Sequence, residues 1–317
     1  MALKNKLGAS FRDYLNDTTS LFDTLVKPIL LYGSDFWGCL KLPSNNAIEN
    51  LHMQFCRQVL GVQKNTTNTG VLLELGRTPL TLEAQRLSVK NWERLRNGRG
   101  NSLVLNSYQN ACNKHLNWSK SICDQLAKSG VQCTITEDNS NISNAFSRKI
   151  KDIFHQEAFM QIADPKSKLR TYALIKDKVG REDYLDQTRN VRHRQMLTKL
   201  RLSNHKLMIE KGRHLKLPLN ERTCPVCQDG IEDEIHFLVR CKYYETLRQP
   251  LFSKCTELKP QFGFYPDKLK FSFIMTTPIL MGNVSKFVFT AMTDRDTYID
   301  ASATLDSILD KVLKSLS

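Results

Sequence analysis

Apolar residues in the first hundred positions recur at helical spacing, in runs separated by turn-forming residues. Ile48, Leu51, Phe55, Val59 and Leu60 fall on one side of a predicted helix. Asn46 supplies its N-cap, Glu49 stands in capping-box spacing, and Gly61 ends it. A shorter helix is expected from Val71 to Leu75, stopped by Gly76. Thr78 and Pro79 then offer a cap and a first-turn proline to a helix whose apolar side holds Leu80, Ala84, Leu87, Trp92 and Leu95. Asn97 to Gly100 breaks that run. Further helices are expected near 102–113, 117–129 and 141–163, with a polar linker from Thr134 to Asn141.

The second half continues the pattern. Leu197, Leu200, Leu207 and Met208 give a helix or helix pair, and Leu269 to Ile274 suits a short strand or a buried helix. Leu305, Ile308, Leu309, Val312 and Leu313 give Ala301 to Leu316 one apolar face. The expected fold is therefore mainly α, a multi-part helical chain with a small embedded Cys-Cys-His-Cys (CCHC) zinc module. Its expected divisions are a helical region over 1–133, a basic helical region over 141–220, the zinc module over 221–250 and a C-terminal helical tail over 251–317.

Composition adds a core and a charge. The 317 residues are 41% hydrophobic, enough to bury real cores, and 46 Lys+Arg against 32 Asp+Glu leave a net charge of +14. Such a field attracts polyanions, nucleic acid first among them. Ten of the basic residues lie between Arg189 and Arg222 against two acids, Glu210 and Glu221, a local excess of +8. Arg189, Arg192, Arg194, Lys199, Arg201, Lys206, Lys211 and Arg213 are the candidate nucleic-acid contacts, and a solvated helix face is the alternative for the same residues.

No membrane span is expected, because Asp23, Lys27 and Pro28 interrupt the best apolar stretch, Leu21 to Leu31. No secretory signal is readable, so an intracellular, reducing compartment is expected, with nucleus and cytoplasm undistinguished. Of nine cysteines, Cys39, Cys56, Cys112, Cys123 and Cys133 are scattered singly and are expected to be core thiols.

The remaining four cysteines include the sharpest chemical signal. Cys224-x2-Cys227-x8-His236-x4-Cys241 brings four metal-binding side chains into eighteen residues, as one structural tetrahedral Zn2+ requires, with Cys255 a lesser substitute ligand. Four protein ligands leave no coordination position for substrate. Glu232 to Glu234 give the helix carrying His236 an acidic start. On a regular helix His236 and Cys241 would stand about 140° apart and about 7.5 Å along the axis, so a break is expected between Val239 and Lys242, with a new helix from about Tyr243.

No catalytic pattern accompanies this cluster. The chain has no phosphate-binding glycine loop, no Gly-x-Ser-x-Gly elbow, no His-Glu-x-x-His and no adjacent Asp pair, and no enzymatic activity is expected of it. Asp294, Asp296 and Asp300 are expected in a solvated loop, and His193, His205 and His214 as surface or internally satisfied residues.

Several segments together resemble the C-terminal region of non-LTR (LINE-type) retrotransposon reverse transcriptases. They are LFDTLVKPILLYGSDFWG (21–38), IENLHMQFCRQVLGV (48–62), TGVLLELGRTPL (69–80), LTKLRLSNHKLMIEKGRH (197–214) and CPVCQDGIEDEIHFLVRC (224–241), in that family's order. The resemblance implies that the first region corresponds to thumb-side helices beyond a polymerase palm whose paired aspartates this chain lacks. It also implies that Cys224, Cys227, His236 and Cys241 ligate zinc and that the basic run contacts RNA or DNA. A non-catalytic zinc protein that binds nucleic acid follows as the expectation. Its alternatives are a zinc-containing protein-interaction module and a decayed retrotransposon copy with no selected function.

Overall fold

The computed structural model describes residues 15–43, 46–114, 117–132 and 141–316, with the side chains of all of these except Ala303 and residues 305–316. The described chain is mainly α-helical. Its extended pairing is limited to isolated bridges, Leu75 with Arg181 and Thr223 with Ile231.

Helix α1 (Leu15–Leu21) continues through a π-turn at Phe22–Val26 into α2 (Lys27–Leu30), and α3 (Ser34–Trp37) follows. Helix α4 (Ala47–Leu60) starts where Asn46 accepts the Ile48 amide at 3.0 Å and stops at Gly61, whose φ of 71° favours glycine. Glu49 leaves the capping box incomplete. Its carboxylate instead meets His52 Nδ1 at 3.1 Å and the Thr81 amide at 3.3 Å. The buried stripe is accordingly rotated from the expected one: His52, Met53 and Cys56 point inward with Val59 and Leu60, and Leu51 is exposed.

Helices α5 (Asn68–Glu74), α6 (Leu80–Arg96), α7 (Ser102–Asn113), α8 (Asn117–Lys128) and α9 (Ile142–Ala163) follow close to their expected limits. Pro79 sits one place earlier than expected, as the N-cap of α6. Gly38 is held against α6, where a Cβ would come within 2.0 Å of the Ala84 carbonyl oxygen. The expected linker lies almost wholly outside the described residues, as does Cys133.

The basic run is a helix pair, α11 (Val191–Arg201) and α12 (Met208–His214), preceded by a short α10 (Tyr184–Gln187). Beyond the cysteine cluster come α13 (Glu245–Leu258), α14 (Asp267–Thr276) and α15 (Met281–Leu316). The ambiguous stretch at Leu269 is thus helical. Helix α15 starts twenty residues before the expected Ala301, because Val284, Phe287, Val288, Ala291 and Met292 bury a stripe of their own. Asp294, Asp296 and Asp300 lie on this helix, which corrects the loop expected for them. The side chains of the expected apolar face from Leu305 onward lie outside those described.

One main core draws on all four expected segments, from Leu15 through Ile162, Cys224 and Cys241 to Val284 and Met292. A second cluster gathers Trp92, Ile122, Leu126, Phe146 and Ile150 between α6, α8 and α9. The main core also encloses charge. Glu74, fully buried, accepts from Tyr172 Oη at 2.8 Å, Tyr184 Oη at 2.6 Å and Arg201 Nε at 2.7 Å. Arg201 donates further to Glu182 and, at 3.1 Å, to the Met275 carbonyl. Burying these charges is tolerable because nearly every donor and acceptor is matched.

Candidate metal centre

A short hairpin builds the first half of the centre. The Cys224 amide donates to Gly230 O at 3.0 Å, the Glu232 amide to Arg222 O at 2.9 Å, and the Gln228 amide closes the turn on Cys224 O at 2.9 Å. Gln228 and Gly230 both have positive φ, 55° and 73°, which folds Cys224 and Cys227 back toward the same point. Backbone N–H groups of Cys227 and Val226 face the Cys224 sulfur, as expected of a turn that holds thiolates.

The second half comes from an unusual helical turn. Asp233 accepts the His236 amide at 2.6 Å and so caps it. Residues His236–Arg240 then wind as a π-helix, and the Cys241 amide closes it on His236 O at 2.8 Å. The i→i+5 bond of a π-turn turns the chain less per residue, so His236 and Cys241 come nearer to one side than α-winding, which would leave them about 140° apart, allows. The expected break does occur, at Cys241 (φ −54°, ψ 118°), with a tight turn at Lys242–Tyr244 before α13. Convergence therefore needs both devices, and only the break was legible in the spacing.

The ligand atoms of Cys224, Cys227, His236 and Cys241 all lie within 4.8 Å of one another, and His236 Nε2 stands 3.3 Å from Cys227 Sγ. Tetrahedral bonds of about 2.3 Å to sulfur place sulfurs roughly 3.8 Å apart, so the group fits a metal ion after a small contraction. Cys224, His236 and Cys241 are buried and Cys227 is half-buried. The hydrogen bond toward Cys241 pushes the Cys224 thiol up to about 12, with burial adding to it, and the same contact lowers Cys241. A cation bound by the group would displace the thiol protons. Cys255 is not a member of the group: it is wholly buried in the main core, where burial raises its thiol to about 11.

The acidic residues around His236 do more than start a helix. Glu232 Oε1 lies 3.7 Å from Cys224 Sγ and Oε2 accepts the Met208 amide at 2.6 Å, while Arg295 of α15 grips both oxygens at 2.6 and 2.7 Å. Glu234 takes Arg170 on both oxygens, Ser203 Oγ at 3.0 Å and His205 Nε2 at 2.9 Å. Burial alone would raise Glu234, but His205 and Arg170 outweigh it and hold the carboxyl at about 2. Arg248 donates to Cys241 O at 2.7 Å. These partners were not legible in the sequence, since Arg170 and Arg295 stand far from the cysteine pattern and Arg248, seven residues beyond Cys241, carries no motif.

The candidate nucleic-acid contacts divide. Arg189, Arg192, Lys206, Lys211 and Arg213 are exposed and Lys199 is half-buried. Arg201 and Arg194 are corrections to the expected set: Arg201 is spent on Glu74 and Glu182, and Arg194 is buried with Nη1 on Thr188 O at 3.2 Å. Neither guanidinium is left unpaired on the surface, Arg201 being 1% exposed and Arg194 5%. Lys206 is paired with Asp296 at 3.0 Å. His205 is satisfied internally, His193 packs on Phe289, and His214 is exposed.

Fold and site together define a mainly helical protein with a Cys-Cys-His-Cys group able to hold a metal ion. No protein-family model matches the chain, and no curated protein or solved structure resembles it at a significant level. Among the described residues no helix is long and apolar enough to cross a membrane.

Proposed function

We propose that this chain is a non-catalytic, zinc-binding and nucleic-acid-binding protein related to the C-terminal region of non-LTR retrotransposon reverse transcriptases. The observation that carries the zinc half is the convergence of Cys224, Cys227, His236 and Cys241 from two differently built turns onto one point. Three sulfurs and one imidazole favour Zn2+ over hard cations, and four protein ligands make the ion structural. Zinc would tie the hairpin to the turn at His236 and so fix the entry of α13. The nucleic-acid half is supported by the +14 charge and by the exposed Arg189, Arg192, Lys211 and Arg213.

Metal analysis of the purified chain tests the first half, with about one equivalent of zinc expected and loss of it in Cys224→Ser and Cys227→Ser. Retention in both variants would show the ligands to be wrong. A salt titration against a labelled RNA tests the second: affinity should fall steeply with salt, and absence of binding at low salt removes that half.

A second reading, protein docking, is favoured by the exposed apolar side chains of the first segment. Leu21, Leu25, Ile29, Tyr32 and Phe36 are exposed at spacings of three or four residues, and Tyr32 reaches 87%. That reading expects Ile29→Ser with Tyr32→Ser to alter the sedimentation of the chain, and unchanged sedimentation counts against it.

A further inference from the structure

Helix α13 carries a buried cation that lacks an acid. Arg248 is 5% exposed, yet among the described residues no carboxylate stands within ion-pair distance of it. Glu245, one turn earlier on the same helix, is exposed and makes no such pair. Arg201, Arg295 and Lys176 are buried to a similar degree, and each is paired with a carboxylate. Taking a guanidinium out of water is costly unless an opposite charge offsets it, so the position of Arg248 calls for an anion.

Its backbone contacts show where that anion stands. Nη2 donates to Cys241 O at 2.7 Å and reaches Phe237 O at 3.5 Å, so the guanidinium closes on the turn that carries His236 and Cys241. Its Nε, also buried, has no hydrogen-bond partner. Burial lowers the Arg248 guanidinium, and of the groups that pull against this Cys241 comes first, ahead of Glu245 and Tyr244. The other charges around the centre are already engaged. Glu232 is held by Arg295, Glu234 by Arg170, Asp229 by Lys242 at 3.3 Å and Arg240 by Asp267, while Asp233 accepts the His236 amide. Three thiolates and a neutral imidazole around Zn2+ carry one net negative charge. Loaded, the group presents the anion that Arg248 lacks.

Building on the zinc reading above, we propose that Arg248 is the counter-ion of the metal-loaded Cys-Cys-His-Cys group, balancing the charge of the bound thiolates while its bond to the Cys241 carbonyl holds that ligand in place. It is a positioning residue and makes no bond to the metal. It returns to the group because the tight turn at Lys242–Tyr244 leads directly from Cys241 into α13. Outer partners of this kind set how firmly a metal is held without appearing in the ligand pattern.

The test uses the full chain in metal-free and zinc-loaded forms. Zinc affinity is read by competition with a chelator, stability by urea denaturation, and the thiolate environment by the sulfur-to-metal charge-transfer bands of the Co2+ form. Arg248→Met and the polar but neutral Arg248→Gln should each weaken zinc binding about tenfold or more and destabilise the loaded chain more than the metal-free one. Both should move the cobalt bands to lower energy, because the sulfur lone pairs lose a stabilising cation. Arg248→Lys, which keeps the charge, should return the bands and most of the affinity. An arginine that only satisfies carbonyl groups would weaken both forms alike. Unchanged affinity and bands in the two neutral variants, or a loss in the metal-free chain as large as in the loaded one, unfolding of both variants included, overturns the proposal and leaves the zinc reading standing. Failure of Arg248→Lys to recover any affinity also counts against it. If the wild-type chain binds neither zinc nor cobalt, the zinc reading falls and the counter-ion with it.

Discussion

Glu232 and Arg295 are joined by two hydrogen bonds, Nε to Oε1 at 2.6 Å and Nη2 to Oε2 at 2.7 Å, with both side chains almost wholly buried. The same carboxylate faces Cys224 and the Met208 amide. One acid thus links the candidate metal group, helix α12 and helix α15.

Arg295→Met should cost about 3–5 kcal/mol, because it leaves the Glu232 carboxylate buried without its cation. Adding Glu232→Gln should recover a large part of that loss, since the neutral amide oxygen still accepts from Met208 and no charge is stranded. Urea denaturation of the two single variants and the double variant measures this. Additive losses would show that the two residues act independently.

If the Cys-Cys-His-Cys group holds zinc as proposed, removing the ion should lower the melting temperature of the whole chain rather than release one small unit. Cys224 and Cys241 are members of the main core, which also holds Leu60, Leu200 and Val288. Calorimetry with and without a strong chelator decides it: one transition shifted downward is expected, and an early minor transition with the main one unmoved would contradict the shared core.

Arg201→Met should behave as a core substitution. It strands Glu74 beside two tyrosine hydroxyls in the interior, at a cost of about 3–5 kcal/mol, and should leave the salt dependence of the proposed nucleic-acid binding unchanged when the variant is assayed at a temperature where it is folded. A reduced salt slope in folded Arg201→Met would return it to the contact surface.

Thiol labelling should follow burial. Burial holds Cys39 and Cys255 at about 11 and Cys56 at about 12, so at pH 8 less than about 1% of each is the reactive thiolate, and the surrounding core blocks reagent as well. Maleimide with mass-spectrometric mapping should modify exposed Cys123 first and half-buried Cys112 next, with these three protected until denaturant is added. Fast modification of Cys56 in native buffer would contradict its packing.

Helix existence was legible because it depends on local periodicity and punctuation. Ser102–Asn113 and Ile142–Ala163 lie where their polar breaks put them. Local pattern failed where a distant residue intervened. Glu49 was drawn from its capping role by His52 and Thr81, and Arg77 Nε, donating to His52 Nε2 at 3.2 Å, lets that histidine turn inward in place of Leu51. The first half of α15 lies before the helix expected from Ala301, although Val284, Phe287, Val288, Ala291 and Met292 carry a helical spacing.

The metal group divides along the same line. Four ligand types at fixed intervals, and the need for a break before Lys242, are properties of the chain alone, because ligand chemistry and helix geometry act over a few residues. Which basic residues remain on the surface is not such a property. Arg201 and Lys211 are indistinguishable in a charge count, yet one is buried and paired with Glu74 and Glu182 and the other is exposed to solvent. Only the packing of helices distant in sequence brings a carboxylate to one and solvent to the other, and at short range that difference outweighs the charge of the run as a whole.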